Sequence, residues 1–480
     1  MGVDDAVLGT IALGILVTLV AGAQVGLRIA ARRRFDLLDI FVAGFGAVYG
    51  ACYAFVVYAS NAGQNAIGFR VVGNDRHYWI VPALALVCLA AIPLLGALLQ
   101  TRAERAPRTD LDDEADDSEA DESEADESET DWQGPIRLLG WCFLITALLA
   151  STLYTRAYGG FAGFFEVASA LRSGLFEEAG ANAWSFVKPF GGFSVFSTYL
   201  FAACLVAGPR AHAFWCAAGF IGSLAVSSVT LYGWGGRVDL LIYWVTVVFG
   251  FLVWRGGVSP RLIAGLAMLA VVTGAVLPPL TDAMNPGKSR GSYVEFFAAE
   301  LTFPVESALN AIELDELRLG ADIVAGPAFI LPERIWSTWN LRNISDLNSD
   351  MLLGDLPREG FGYTIPVDIL TFGLWQFGLA GPLIIVLGWC LALSWLDRHL
   401  VTKLPRSLSA FLYAHAVFSV VALAVLYFDP KMQIARNFHY IVGLLSLATV
   451  PWWSRSLTAR GHPEASSYPD PTAPDRRPVH

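Results

Sequence analysis

The 480-residue chain is 55% hydrophobic and only 16% charged, which excludes an ordinary soluble globule and points to a polytopic membrane protein. Its net charge of −11 is local: Asp110 to Asp131 holds 14 acidic and no basic residues, and the rest, with 29 acidic against 32 basic residues, is slightly positive. There is no nucleotide-binding glycine motif, Walker lysine, HExxH or Ser/His/Asp constellation, and the six cysteines sit singly in apolar runs as expected of free thiols.

A bilayer core of ~30 Å needs roughly 20 apolar residues per helix. Eleven runs qualify or nearly do: Val7–Leu27, Ile40–Ala59, Tyr78–Leu99, Ile136–Tyr154, Phe190–Ala207, Phe214–Leu231, Val238–Trp254, Leu262–Leu277, Leu379–Trp395, Leu408–Tyr427 and Phe438–Trp452. The fold class expected is an all-α polytopic membrane protein of about eleven spans. The first run is not expected to be a cleaved signal peptide, because its basic cluster follows the apolar residues.

Short cytoplasmic loops are enriched in Lys and Arg. "RIAARRRF", "TRAERAPR", "GPRAH", "WRGGVSPR", "DRHLVTKLPR" and "SRSLTAR" follow alternate runs, so all six fall on one side. That side is expected to be cytoplasmic, with the N-terminus outside and the C-terminus inside. Residues 1–100 then carry the first three spans and 101–134 an acidic cytoplasmic loop too charged to fold. Residues 135–453 form the main transmembrane core, and 454–480 a disordered cytoplasmic tail.

Two outer segments are long. Thr155–Lys188 contains Phe161, Phe164, Phe165, Val167, Ala168 and Leu171 at helical spacing, expected to lie on the outer leaflet. Residues 281–378, between the eighth and ninth spans, include a helix expected over Tyr293–Glu313 and "PVDILTFGLWQFGLAGPLI", expected as an interfacial or re-entrant segment. On this face the topology rule disfavours arginine, yet Arg156, Arg172, Arg237, Arg290, Arg318, Arg334, Arg342, Arg358 and Arg436 fall there. A guanidinium binds phosphate through two parallel hydrogen bonds and does not titrate, so these residues suit a lipid-linked phosphate or pyrophosphate. The plainer role for any one of them is snorkelling to headgroups or pairing within a loop. Arg237 and Asp239, in "GWGGRVDL", can pair locally, with the glycines tightening a hairpin. His415 and His439 can each be satisfied by helix neighbours. Asp368 lies in an apolar stretch, where a carboxylate needs a partner.

"GWGGRVDLLIYW", "ILPERIWS" and "PVDILTFGLWQFGLAGPLI", in this order across Thr155 to Trp453, resemble the O-antigen polymerase (Wzy-like) family of oligosaccharide repeat-unit polymerases. The resemblance implies a metal-independent glycosyltransferase without a cofactor. In it, a sugar hydroxyl on one polyprenyl-linked oligosaccharide attacks the anomeric carbon of another, and polyprenyl phosphate or pyrophosphate leaves. It also implies a cell-membrane location, contact with membrane lipids and no nucleic acid, and a chain-length regulator or flippase as partner. In that setting Arg237 is the first candidate for the leaving group, followed by Arg334, Arg342 and Arg436. Glu333, Asp346 and His439 are candidate bases, and Arg290, Arg358, Trp336, Trp339, Asp239 and Asp368 candidate substrate contacts. A flippase of lipid-linked sugars and a glycan ligase remain alternatives. The sequon Asn343-Ile344-Ser345 is expected to report on sidedness.

Overall fold

The computed structural model describes residues 5–32, 36–61, 77–105, 132–172, 182, 184–234, 236–256, 265, 293–314, 317–331, 333–339, 341–353 and 365–461. Among them all regular structure is helical. Eight helices are long and apolar enough to cross a membrane, and Ile80–Leu95 is a shorter apolar helix. Aliphatic and aromatic side chains that a water-soluble protein would bury face outward along them, among them Leu19, Leu149, Trp215, Ile221 and Trp395. The chain is an all-α, multi-pass membrane protein. The run Leu262–Leu277 and the acidic run lie outside the described residues.

The first layer is α1 (Asp5–Arg32), α2 (Leu37–Gly46), α3 (Tyr53–Asn61) and α4 (Ile80–Arg105). α2 passes into α3 through a π-helical stretch, Ala47–Cys52. The α1–α2 corner is closed by charge. Asp36 caps α2, Asp39 returns the hydrogen bond to the Asp36 backbone in a capping box, and Arg28 of α1 reaches both carboxylates at 3.2 and 2.9 Å.

The second layer is α5 (Gln133–Arg156), α6 (Gly160–Arg172), α7 (Lys188–Gly191), α8 (Phe193–Ala207), α9 (Ala213–Trp234) and α10 (Gly236–Gly256). α8 is its centre, packed on α5 and α9 and buried over most of its length. The interhelical glue is small and polar, as expected where lipid offers no hydrophobic drive between helices. The Ser197 hydroxyl donates to the Gly140 carbonyl at 2.8 Å, and the Thr198 hydroxyl meets Tyr243 Oη at 2.7 Å. α6 does not simply lie on a lipid surface, which corrects the sequence reading. Phe164 and Ala168 are buried in the bundle, Phe161 and Phe165 are exposed, and a Cβ at Gly233 of α9 would come within 2.1 Å of the Phe164 ring.

The C-terminal part contains α11 (Tyr293–Leu314), the short α12 (Ala321–Ala325) and α13 (Glu333–Trp336), α14 (Ile344–Leu353), α15 (Ile369–Phe377), α16 (Gly381–Lys403), α17 (Arg406–His415), α18 (Leu423–Leu426) and α19 (Pro430–Gly461). A second π-helical stretch, Ala416–Ala422, joins α17 to α18. α19 continues through Gly461, so residues 454–461, read as tail from sequence, are helical.

α15 has nine residues, about 14 Å at 1.5 Å per residue, too short to span. It doubles back on α16 as a tight hairpin. The turn uses Gly378 at φ +60°, and a Cβ at Gly373 would sit 2.5 Å from the Pro382 nitrogen. Its last carbonyls, on Trp375 and Gln376, accept from the backbone N–H groups of Arg318 and Leu319 at 2.9 Å each. Arg318 and Leu319 bond to the end of α15 and Gly326 packs on Pro430, so the start of α12, the α15–α16 turn and the start of α19 gather at one end of the bundle, called here the loop end.

Candidate functional site

α19 begins at the loop end, and its start is fixed by Asp429, whose Oδ1 accepts from the N–H groups of Lys431 (2.7 Å) and Met432 (3.4 Å). Pro430 follows, the residue that tolerates the first helical position because its missing N–H would be unpaired anyway. The other Asp429 oxygen accepts from the Ser345 hydroxyl. Burial pushes the Asp429 carboxyl above the usual carboxylate range, opposed by these hydrogen bonds.

One turn on, Gln433 Nε2 donates to the Tyr427 carbonyl at 2.5 Å, and its Oε1 accepts from Asn437 Nδ2 at 3.2 Å. Asn437 Nδ2 also donates to the carbonyls of Gln433 (3.1 Å) and Ser419 (3.4 Å). Ser419 lies in the π-helical stretch, where the widened turn frees carbonyls for such a bond. These acceptors fix the orientation of the Asn437 amide, so its Oδ1 faces His415 Nε2 at 3.3 Å and must accept from it. His415 Nδ1 is then the acceptor for Tyr199 Oη at 3.1 Å. The His415 ring stacks on Tyr440 at 4.5 Å between centroids and meets the edge of His439 at 5.2 Å. His415 is thus fully occupied. His439 is not: its Nε2 is buried with no hydrogen-bond partner.

Arg436 lies one turn before His439 on the same helix and forms an ion pair with Asp239, in the first turn of α10. A carboxylate is favoured there by the helix dipole. The two side chains keep 28% and 22% of their surface, so the pair is reachable. Asp239 therefore joins two helices through Arg436; the local pair with Arg237 that the sequence suggested lies outside the described residues.

No family model, curated protein or solved structure matches the chain.

Of the sequence candidates, the structure brings together Asp239, Arg436 and His439. Arg237 is the second residue of α10 and Arg334 and Glu333 open α13; their side chains lie outside the described residues, as do Arg172, Arg290 and Arg358. Arg342 is exposed and pairs with Asp350 at 2.8 Å. Arg318 is held by Asp322, which also accepts from Gln376 Nε2 at 2.6 Å. Trp336 is buried, with its edge on Phe329 and Lys431 Nζ 4.9 Å above its ring, while Trp339 is exposed. Asp346 is half-buried in the first turn of α14. Asp368 caps α15 and is committed elsewhere. It accepts from Tyr49 Oη at 2.5 Å, from the N–H groups of Leu370 and Thr371, and from the Thr371 hydroxyl.

Asn343 and Ser345 of the sequon are 2% and 0% exposed in the folded chain. Sequence reasoning missed Asp429, Gln433 and Asn437, although Asp429-Pro430 after an apolar run is a helix-start signature. Among the described residues, no group of three or more His, Cys, Asp or Glu is placed to hold a metal ion.

Proposed function

We propose that the chain is a membrane glycosyltransferase of the repeat-unit polymerase type, joining polyprenyl-linked oligosaccharides. One observation carries this reading: a reachable guanidinium, Arg436, with an unpartnered imidazole nitrogen, His439 Nε2, one helical turn away. The donor's phosphate or pyrophosphate takes the place of Asp239 on Arg436, where fixed positive charge stabilises the leaving group as its bond to the anomeric carbon breaks. The acceptor hydroxyl forms the new bond to that carbon, and His439 Nε2 takes its proton and later returns it to solvent. Arg237, at the start of the same helix as Asp239, is assigned to the donor's second phosphate, and exposed Trp339 to sugar stacking. The loop end then faces outward, with both the N-terminus and the large connection outside the cell membrane and the C-terminus cytoplasmic. A chain-length regulator or flippase is the partner this activity calls for.

A second reading, transport of lipid-linked sugars, is favoured by one feature: α15 is a half-length helix folded back on α16, and broken helices are common in transporters. Deleting the gene and sizing the surface glycan tests both. Single repeat units in place of long chains are the expected result. Unchanged chain lengths sink the polymerase, and lipid-linked units accumulating on the cytoplasmic side assign the chain to transport instead.

A further inference from the structure

Glu306 lies within α11, is 1% exposed, and has no hydrogen-bond partner on either carboxyl oxygen. The next residue, Ser307, accepts from Asn348 Nδ2 of α14 at 3.1 Å. The same Asn348 nitrogen also lies against the Ile365 and Pro366 carbonyls, at 3.3 and 3.1 Å. All of its donor capacity is thereby used, and Asn348 Oδ1 at the other end of the amide is buried without a partner. Buried acceptors left unpaired are costly, and what a buried carboxylate lacks is a positive charge or a proton.

No described side chain supplies that charge. The elements packed on α11 are α3, α4, α14 and α15. On these, Tyr53 Oη donates to the Tyr78 carbonyl, Tyr58 is exposed, and Asp368 is bonded to Tyr49 and Thr371. Asp350 is paired with Arg342, and Asp346 is half-buried. At the end of α11 itself, Glu313 is paired with His77 at 2.6 Å. The described cations of this region are all engaged: Arg318 with Asp322, Arg342 with Asp350, Arg436 with Asp239, and Lys431 over Trp336.

We propose that the buried Glu306 carboxyl, on the part of α11 that meets α14, binds a small cation, either a sodium ion or a proton. A hard cation prefers carboxylate oxygens, and a proton removes the negative charge that burial penalises. The site is separate from the Asp239–Arg436 pair and does not rest on glycosyl transfer. Burial pushes the Glu306 carboxyl up to about 8, so without a metal cation the neutral form prevails at pH 7. Because the folded carboxyl binds its proton more tightly than the unfolded one, stability contributed by the protonated form is full below the unfolded value near 4.5. It is then lost as pH rises through about 8.

The test uses the purified full-length protein and its Glu306→Gln variant. Melting temperature is measured in sodium, potassium and choline chloride at equal ionic strength, with infrared spectra of the carboxyl region from pH 5 to 9. For a sodium site, the wild-type melting temperature rises with sodium alone and the variant does not respond. For a proton site, the salts are equivalent and a protonated-carboxyl band is present at pH 7. That band fades above pH 8 and is missing from Glu306→Gln. An ionised Glu306 at pH 7 with no sodium response overturns the proposal. Glu306→Leu, which likewise removes the carboxyl, carries the same comparison where Glu306→Gln cannot be purified.

Discussion

Arg28 and Arg436 make the same kind of contact at opposite ends of the bundle, each pairing with aspartate in the first turn of a neighbouring helix. Arg28 meets two carboxylates, Asp36 and Asp39, which also form a capping box on α2, and Asp39 is wholly buried. Arg436 meets one described carboxylate, Asp239, and both side chains keep about a quarter of their surface. A pair tied into a buried capping box is a staple. A pair with spare donors and access can exchange its partner, and that difference separates a structural arginine from a binding one.

The largest test of this contrast is Arg28→Ala, which leaves Asp39 buried without its counter-charge. A loss of about 3–5 kcal/mol is expected, read from thermal or denaturant unfolding in detergent. A loss under 1 kcal/mol would show that the enclosed pair is not a staple. Arg436→Lys keeps the charge but loses the planar fork, and a drop in polymerisation rate of about 10²-fold or more is expected with unchanged melting temperature. Full activity in that variant would place Arg436 beside Arg28 as a structural residue.

Smaller effects sharpen the picture. Gly233→Ala forces a Cβ against the Phe164 ring, for an overpacking cost of about 1–3 kcal/mol, and disturbs the turn that leads into Asp239. A neutral result would mean that α6 yields freely there. Asp239→Asn is expected to cost under about 1 kcal/mol of stability, because the pair is partly exposed. It should also tighten inhibition by inorganic pyrophosphate, since the competing carboxylate is gone. Weaker inhibition would instead make Asp239 a positioning group for Arg436.

Eight of the eleven expected runs coincide with membrane-length helices, because hydropathy reports directly on what lipid accepts, and the helix over Tyr293–Glu313 was legible from its apolar spacing. The half-length α15 was half-read: the sequence offered interfacial or re-entrant, and the decisive contact, Gly373 against Gly381 and Pro382, is a backbone crossing that no periodicity encodes. Asp239 was singled out for its charge, but its pairing with Arg436 was not foreseen. Its partner lies on the last described helix, and local sequence carries no signal for a contact between helices so far apart. Glu306 was passed over inside "PVESALN", where an acid in an amphipathic helix reads as solvent-facing until packing buries it. The tautomer of His415 follows only from a chain of bonds through Gln433 and Asn437, each on a different turn or helix.

The Phe428 N–H donates to the Val367 carbonyl at 2.7 Å, immediately before the caps Asp368 and Asp429. α15 and α19 therefore start from one shared backbone bond. Arg436 lies about two turns along α19 from it, so the position of the guanidinium is referenced to the start of a half-length helix that it does not itself touch.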